Sequence, residues 1–401
     1  MKIGMILDNE FTGDLRVENE IISLQNAGHQ VYLLCLNFGN QKPYEIFNGA
    51  KVFRIPIKEK IKKKLAGLNN TFFNFYPIFW SKHIVDFAKS NKINALHVHD
   101  LWMLNSGLRA NKKLNLPLVA DLHENFVEAL NQYKYANIFP NKLLISKKRW
   151  STSEKEWCQK ADALITVIDE AVERYSGLGI EREKIYVVPN YINLKTFEKY
   201  SIEQTIIDKY SKYFTVVYTG GFDTHRGLET LIDATKILVN RIDNLKVVLV
   251  GSGSNFNSLK QQANKLALTE IIDFEGWQNA ALLPSYIKAA DVGVIPHLKT
   301  KHTDNTIPHK LFHYMYFSKP VVASNCNPLI RILNKEQAGI IFNSGDAADL
   351  ANKILSIYKD KNLAKIYGEN GSKAVLSKYN WEKASQKLIE LYDKLEKELN
   401  G

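Results

Sequence analysis

Titratable residues gather at two points in the first half of the chain, His97-Val98-His99-Asp100 and Asp121-Leu122-His123-Glu124. Imidazoles beside carboxylates suit proton traffic or hydrogen bonds to a hydroxyl-rich ligand. A zinc site is the rival reading. His97 and His99 are expected to project to opposite faces of a strand, which would bar both from one ion, and no metal is expected. In the second half, Tyr218-Thr219-Gly220-Gly221-Phe222-Asp223-Thr224-His225-Arg226-Gly227-Leu228 joins a glycine turn to an Arg-Gly pair and a helix. A helix start favours an anion, and Arg226 can grip a diphosphate in bidentate fashion. Further on, Pro308 is expected to open a helix with its N–H groups pointing forward, and Lys310 and His313 lie one turn apart on it.

Two signals are weaker. Val250-Gly251-Ser252-Gly253-Ser254-Asn255 begins like a dinucleotide fingerprint but has no third glycine where one is required. In Asn9-Glu10-Phe11-Thr12-Gly13-Asp14, Gly13 lets backbone approach a ligand, while Asp14 either meets that ligand or caps the following helix.

These groups must be held by regular elements, and the pattern shows which. Short β-branched runs alternate with amphipathic segments throughout, as in parallel sheets wrapped by helices. Strands are expected at 2–7, 29–34, 51–55, 95–98, 117–120, 163–167 and 184–188, then at 214–218, 246–250, 271–274, 292–295, 320–323 and 339–342. Val17, Ile21, Ile22 and Leu24 recur at helical spacing before Gly28. Ala384, Leu388, Leu391 and Leu395 mark a charged amphipathic helix at 382–399. The predicted domains are 1–195 and 205–380, with a polar stretch between them. Ligands of such sheets bind beyond the carboxyl ends of the strands, where the groups above fall.

Composition narrows the class of function. The 401 residues are 45% hydrophobic and 24% charged, as expected for folded domains. Met1–Leu7 reads as a first strand and not a leader, and no run of eighteen apolar residues occurs. Three scattered cysteines, Cys35, Cys158 and Cys326, point to a reducing, cytoplasmic setting. The formal net charge of +11 favours anionic partners. Lys58-Glu59-Lys60-Ile61-Lys62-Lys63-Lys64 precedes the aromatic run Phe72–Trp80, a combination suited to an anionic membrane surface. A solvated turn before a buried helix face is the competing reading. No nucleic-acid-binding module is recognisable, and no nucleic acid partner is expected.

Taken in order, several of these pieces resemble the family 4 retaining glycosyltransferases of the GT-B fold, nearest to the bacterial branch that builds surface polysaccharides. The marks are Asp14-Leu15-Arg16-Val17-Glu18 with Ala27-Gly28-His29, then Val188-Pro189-Asn190, Thr219-Gly220-Gly221 with Arg226-Gly227, Pro308-His309-Lys310-Leu311-Phe312, and Tyr379-Asn380-Trp381-Glu382. The resemblance implies an α/β architecture of two Rossmann-like doubly wound domains facing a central cleft. The first domain would take the acceptor and the second the nucleotide sugar, with the final helix crossing back onto the first. Arg226, His123 and Asn305 would act at the reacting sugar. Gly13, Gly220, Gly221, Gly251, Gly276, Trp277, Thr306, Ile307, Pro308, His309, Lys310 and His313 would join Arg226 around the donor. Asp14, His99, Asp100 and Glu124 would lie on the acceptor side.

The sequence departs from the family pattern at three positions. Asn305 and His313 stand where the family usually carries two glutamates, and Gly221 where it often carries a second cation. Asparagine and neutral histidine still hydrogen-bond hydroxyls. The implied reaction is transfer with retention from a UDP- or GDP-sugar to a glycan or lipid-linked acceptor. No cofactor is needed beyond that donor. A degenerate, non-catalytic nucleotide-sugar binder and a GT-B-fold epimerase are the alternatives.

Overall fold

The computed structural model describes residues 1–11, 13–67, 69–71, 74–123, 125–130 and 145–401, so Thr12, Phe72, Phe73 and Glu124 lie outside the described residues. The chain divides into two compact units, one formed by Met1–Asn190 with Ala384–Gly401 and the other by Tyr191–Lys383. No helix among the described residues is long and apolar enough to cross a membrane.

The first unit is built on eight strands: β1 (Lys2–Glu10), β2 (Gln30–Asn37), β3 (Tyr44–Phe47), β4 (Ala50–Pro56), β5 (Ala95–His99), β6 (Leu118–Leu122), β7 (Ala163–Thr166) and β8 (Ile185–Val187). They lie in the order β3-β4-β2-β1-β5-β6-β7-β8. All pairs are parallel except β3 with β4. The edge strand β3 was not expected. It forms a hairpin with β4 through Asn48 and Gly49, both at positive φ (45° and 87°), the backbone demanded by a two-residue turn between twisted strands. Phe47-Asn48-Gly49-Ala50 carried that signal.

The second unit has six parallel strands, β9 (Phe214–Thr219), β10 (Leu245–Val250), β11 (Ile272–Gly276), β12 (Val292–Ile295), β13 (Val321–Ser324) and β14 (Gly339–Phe342), in the order β11-β10-β9-β12-β13-β14. Chain direction across each sheet reverses once, beside β1 and β5 in the first unit and beside β9 and β12 in the second. Those reversals open the crevices where ligands of doubly wound sheets sit. Central strands such as Phe214–Thr219 are buried at every position, which is why they read as largely apolar, β-branched and aromatic runs without polar alternation.

Two boundaries differ from the pattern-based reading. Residues 191–195 pack with the second unit, because Ile192 is buried in its core, pairs with Asn380, and accepts a backbone hydrogen bond from Trp381 at 2.8 Å. The expected polar stretch therefore lies inside the second unit. The last helix runs Trp381–Asn400, and Ala384, Leu388, Leu391 and Leu395 are all buried along one stripe.

Candidate functional site: a buried acid–imidazole network and an uncompensated cation pair

The helix Leu15–Asn26 starts at Asp14, whose carboxylate accepts from the Val17 N–H at 3.3 Å. Asp14 thus serves as the cap. Gly13 before it adopts φ 75°, and a side chain there would meet nothing within 4 Å. The helix buries Val17, Ile21 and Leu24, and with them Arg16 and Glu20. Two charges on a core face need partners of their own.

Those partners come from the sheet. Arg16 forks onto Asp121, with Nη2 2.7 Å from Oδ1 and Nε 3.1 Å from Oδ2. Its Nη1 donates to the Val188 carbonyl at 3.0 Å and to Asn190 Oδ1 at 2.5 Å. Glu20 Oε1 lies 2.9 Å from Arg16 Nη2. His97 and His99 share a face, with ring centroids 4.5 Å apart, both fully buried. This corrects the expectation of opposite faces: side chains alternate along a strand, so residues two apart point the same way. Asp121 Oδ2 lies 3.1 Å from His99 Nδ1 and 2.7 Å from His123 Nε2. The second His123 nitrogen, Nδ1, is 3.4 Å from Asp100 Oδ1. From the last helix, the buried Tyr392 hydroxyl stands 2.8 Å from His97 Nδ1.

Electrostatics divide the network sharply. Burial, then the neighbouring His97, pushes His99 down to about 3. Burial also opposes charge on His123, but Asp121 and Asp100 outweigh it and lift that group to about 9. Glu20 rises to about 8 through burial, which Arg16 only partly offsets. Burial works against the Asp121 carboxylate too, yet Arg16 and His123 hold it well below the usual range. Glu20, His97, His99 and Asp121 each offer one ligand atom within 4.8 Å of the others. Both Asp121 oxygens, however, already accept from Arg16, and Oδ2 also faces His99 and His123.

A second buried acid, Asp8 near the end of β1, accepts from the Tyr76 hydroxyl and from Trp102 Nε1 at 3.1 Å. Lys62 Nζ reaches it at 3.4 Å. The lysine run therefore does not stand wholly in solvent: Lys62 turns inward, and Lys63 pairs with Glu59 at 2.5 Å. In the aromatic run, Tyr76 and Trp80 are core residues while Phe75 and Ile78 are exposed, as is Ile61.

In the second unit the carboxyl ends of β9, β10 and β11 pack through glycines. A Cβ on Gly251 (φ 143°) would fall 1.9 Å from the Gly220 carbonyl oxygen, so no other residue fits there. Gly251 N–H donates to the Gly276 carbonyl at 2.7 Å. Trp277, next in the chain, is 76% exposed. Glu275 is taken up by Lys209, Tyr210 and Tyr286 at 2.6, 2.7 and 2.8 Å.

Beside β9 and β12 lie two cations. Arg226 ends the short turn Thr224–Arg226, and Gly227 (φ 65°) packs so tightly on Pro296 that a Cβ would fall 2.0 Å from its carbonyl oxygen. Arg226 Nη1 is 3.3 Å from His297 Nε2, and its Nε is buried with no hydrogen-bond partner. Lys310 is buried; its Nζ sits 3.9 Å above the Tyr218 ring, and a Cβ on Gly220 would lie 3.0 Å from it. Neither cation has a carboxylate within ion-pair distance among the described residues. Burial and then Arg226 push the Lys310 ammonium well below its usual range. His297 is pushed far down by burial, Lys310 and Arg226, and His225 falls to about 4 by burial, Arg226 and His302. A crevice in which burial and neighbouring cations disfavour charge on Lys310, His297 and His225 is one that would gain from an anion.

The remaining expected donor residues are more dispersed in role. The helix carrying Lys310 runs Lys310–Tyr316 with His309 at its cap, so Pro308 precedes the helix and does not open it. Thr306 Oγ1 donates to the His302 carbonyl at 3.3 Å, and Ile307 packs on the core. Asn305 Nδ2 donates to the Lys301 carbonyl at 2.7 Å. His313 packs against Phe197, ring centroids 4.5 Å apart, and is pushed down to about 3 by burial, His309 and Lys310. Gly221 accepts from the Tyr218 hydroxyl at 2.7 Å through its carbonyl. Sequence reasoning missed Arg16, Glu20, Tyr392 and His297 as members of these sites. The signal available for the first two was a pair of charges, one turn apart, on the helix face that also carries Val17 and Ile21.

Residues 16–196 match the model of Glycosyltransferase Family 4, and residues 201–374 that of Glycosyl transferases group 1. The chain is 24% identical over 402 residues to phosphatidyl-myo-inositol mannosyltransferase of Mycolicibacterium smegmatis, covering 98% of this chain and 94% of that one. It is 25% identical over 210 residues to the capsular polysaccharide biosynthesis glycosyltransferase CapM of Staphylococcus aureus, covering 51% and 54%. Among solved structures, sucrose-phosphate synthase of Thermosynechococcus elongatus superposes with a TM-score of 0.76 at 20% identity, covering 98% and 99%. HepE of Anabaena in complex with UDP superposes with a TM-score of 0.74 at 16% identity, covering 98% and 100%. Two doubly wound parallel sheets, a glycine-lined crevice with an uncompensated Arg–Lys pair, and matched family models over nearly the whole chain make this protein a family 4 glycosyltransferase of the GT-B fold.

Proposed function

We propose that the protein transfers a sugar, with retention, from a UDP- or GDP-sugar held by the second unit to a glycan or lipid-linked acceptor held by the first. The observation that carries this reading is the pair of half-buried Arg226 and buried Lys310, which has no acidic partner among the described residues and suits a diphosphate. HepE has been solved with UDP-glucose, which supports a nucleotide-sugar donor, and CapM, among the relatives, supports cell-surface polysaccharide synthesis.

In this mechanism the anomeric C–O bond to the diphosphate breaks as the acceptor hydroxyl attacks the same face. The departing phosphate oxygen takes the hydroxyl proton. The chain supplies positioning and a fixed positive field, and no metal takes part. Asn305 and His313 would hydrogen-bond the donor from their present surroundings, and the reaction would run in the cytoplasm, at the inner face of the membrane. Exposed Ile61, Phe75 and Ile78 near Lys60, Lys63 and Lys64 support that last point.

Thermal unfolding with UDP, GDP, ADP or NAD in EDTA tests the donor. A nucleotide at about a hundred times its Kd stabilises by roughly 2.7 kcal/mol. A shift with UDP or GDP alone is expected; no shift with either would sink the donor assignment and favour a degenerate partner. Flotation with anionic vesicles tests the surface. Because Lys62 is engaged by Asp8, the charge-reversed variant should change Lys60, Lys63 and Lys64, and binding that survives this change would remove the membrane from the proposal.

A further inference from the structure

Asp100 follows β5 directly and adopts φ 68°, ψ 145°, a backbone region that residues with a side chain enter rarely, at a cost of about 1–3 kcal/mol. Its surroundings hold it there. The Asp100 N–H donates to the Asp121 carbonyl at 2.8 Å, and its own carbonyl accepts from the Met103 N–H at 3.1 Å. Asp100 occupies the cap position of the helix Leu101–Leu114, where an aspartate ordinarily bonds the first free N–H groups, yet its side chain makes no capping bond. The carboxylate is turned to His123 Nδ1 instead, at 3.4 Å. Across the ring, Asp121 Oδ2 accepts from His123 Nε2 at 2.7 Å. His99 Nδ1 also stands 3.3 Å from His123 Nε2, but it faces Asp121 Oδ2 more closely, at 3.1 Å. Carboxylates only accept, so with Asp100 and Asp121 on its two sides the His123 ring is best satisfied when both nitrogens carry a proton.

We propose that Asp100 is a positioning residue for sugar transfer: its left-handed backbone sets a carboxylate on His123 Nδ1, so that Asp100 and Asp121 clamp His123 as a fixed imidazolium. His123 then orients and polarises, and it does not take the acceptor proton. The charged neighbours favour that state on balance. Asp121 on β6 and Asp100 after β5 support the cation. Arg16, from the helix Leu15–Asn26, opposes it but is itself spent on Asp121 and Glu20. His97 and His99 on β5 are pushed down by burial, which leaves the positive charge to His123. Tyr392 meets His97 and not His123. The His123 side chain keeps 21% of its surface exposed, so the clamped ring has an open edge.

Histidine-selective nitrogen NMR on the full-length protein reads the protonation state directly. Wild-type His123 should show two protonated ring nitrogens to beyond pH 8. In Asp100→Asn its midpoint should fall by about one pH unit or more, as expected when one of two facing carboxylates is lost. Asp100→Gly separates positioning from folding: glycine is unstrained at this φ, so relief of strain offsets the lost ion pair and the variant should remain folded while its His123 titrates lower. Kinetically, both variants should lose about tenfold in kcat with donor KM nearly unchanged, as when a group oriented only for the transition state is disturbed. Their pH profiles should gain an inflection that the wild type lacks. A neutral His123 at pH 7.5 in the wild type, or an unmoved midpoint in Asp100→Asn, would each overturn the proposal. The kinetic arm rests on the transfer reaction proposed above; the NMR arm does not, so it decides whether Asp100 and Asp121 clamp His123 even if the transfer reading fails.

Discussion

Arg226 and Lys310 meet an anion in different ways. Arg226 is planar, always charged, and presents a buried Nε with no partner. Its replacement by alanine should lower turnover by roughly 10²–10³, the magnitude seen when one preorganised donor to developing charge is removed; near-normal turnover in a steady-state assay would take Arg226 out of the mechanism. Lys310 is a point charge whose burial beside Arg226 disfavours protonation in the free protein. An arriving diphosphate reverses that balance, so donor binding should take up protons. Calorimetric titration with UDP or GDP in two buffers of different ionisation enthalpy would show this, and equal heats in both would contradict it. Lys310→Met should abolish the difference.

At the scale of the element, the glycine-lined strand ends decide where the cations sit. The Gly220 carbonyl leaves no room for a side chain at position 251, and the N–H of Gly251 is committed to Gly276. Gly251→Ala must therefore push β9 away from β10 at the crevice. A loss of about 2–4 kcal/mol in denaturant unfolding is expected, as for strain at a special backbone position, together with weaker nucleotide binding. The same steric logic holds at Gly227, whose contact with Pro296 couples the Arg226 turn to the end of β12. Helix ends differ in another way. Asp14 and Asp100 both precede helices, yet only Asp14 caps its helix through its side chain. Both are aspartates directly before a helix, and the choice between capping and clamping depends on a backbone angle that the neighbouring strand holds, through the bond from Asp100 N–H to the Asp121 carbonyl.

Over the whole molecule, the two units should answer pH oppositely on the alkaline side. In the first unit His123 is raised to about 9 and Glu20 to about 8, so the folded state binds more protons than the unfolded one. Their stabilisation is complete below the unfolded values of 6.5 and 4.5 and is lost as pH climbs toward 9. In the second unit the depressed Lys310 works the other way: the unfolded state binds more protons, and stability grows as pH rises toward 10.5. Between pH 6.5 and 9, calorimetry should show one transition falling while the other holds or rises, and His123→Gln should flatten the falling one. Below 6.5 both should weaken, because His99, His225 and His313, at about 3, 4 and 3, must be protonated on unfolding. Transitions that move together across the alkaline range would refute this distribution of charge.

The amino-acid sequence by itself determined the alternation of strands and helices, the two doubly wound units, the glycine turns and the place of Arg226 after a strand, because each of these is written in local spacing. The Asn48-Gly49 hairpin was also legible, in two residues. Tertiary structure alone decided the acid–imidazole network. Arg16, Glu20, His97, Asp121 and Tyr392 come from four elements separated by up to 376 positions, and each breaks the apolar pattern of the core it enters. No local rule marks a charge as buried; burial is tolerated only because partners from distant segments arrive to satisfy it. The same convergence turns the Asp100 carboxylate to His123 and away from the helix it precedes, and that choice has no signature within the segment that carries it.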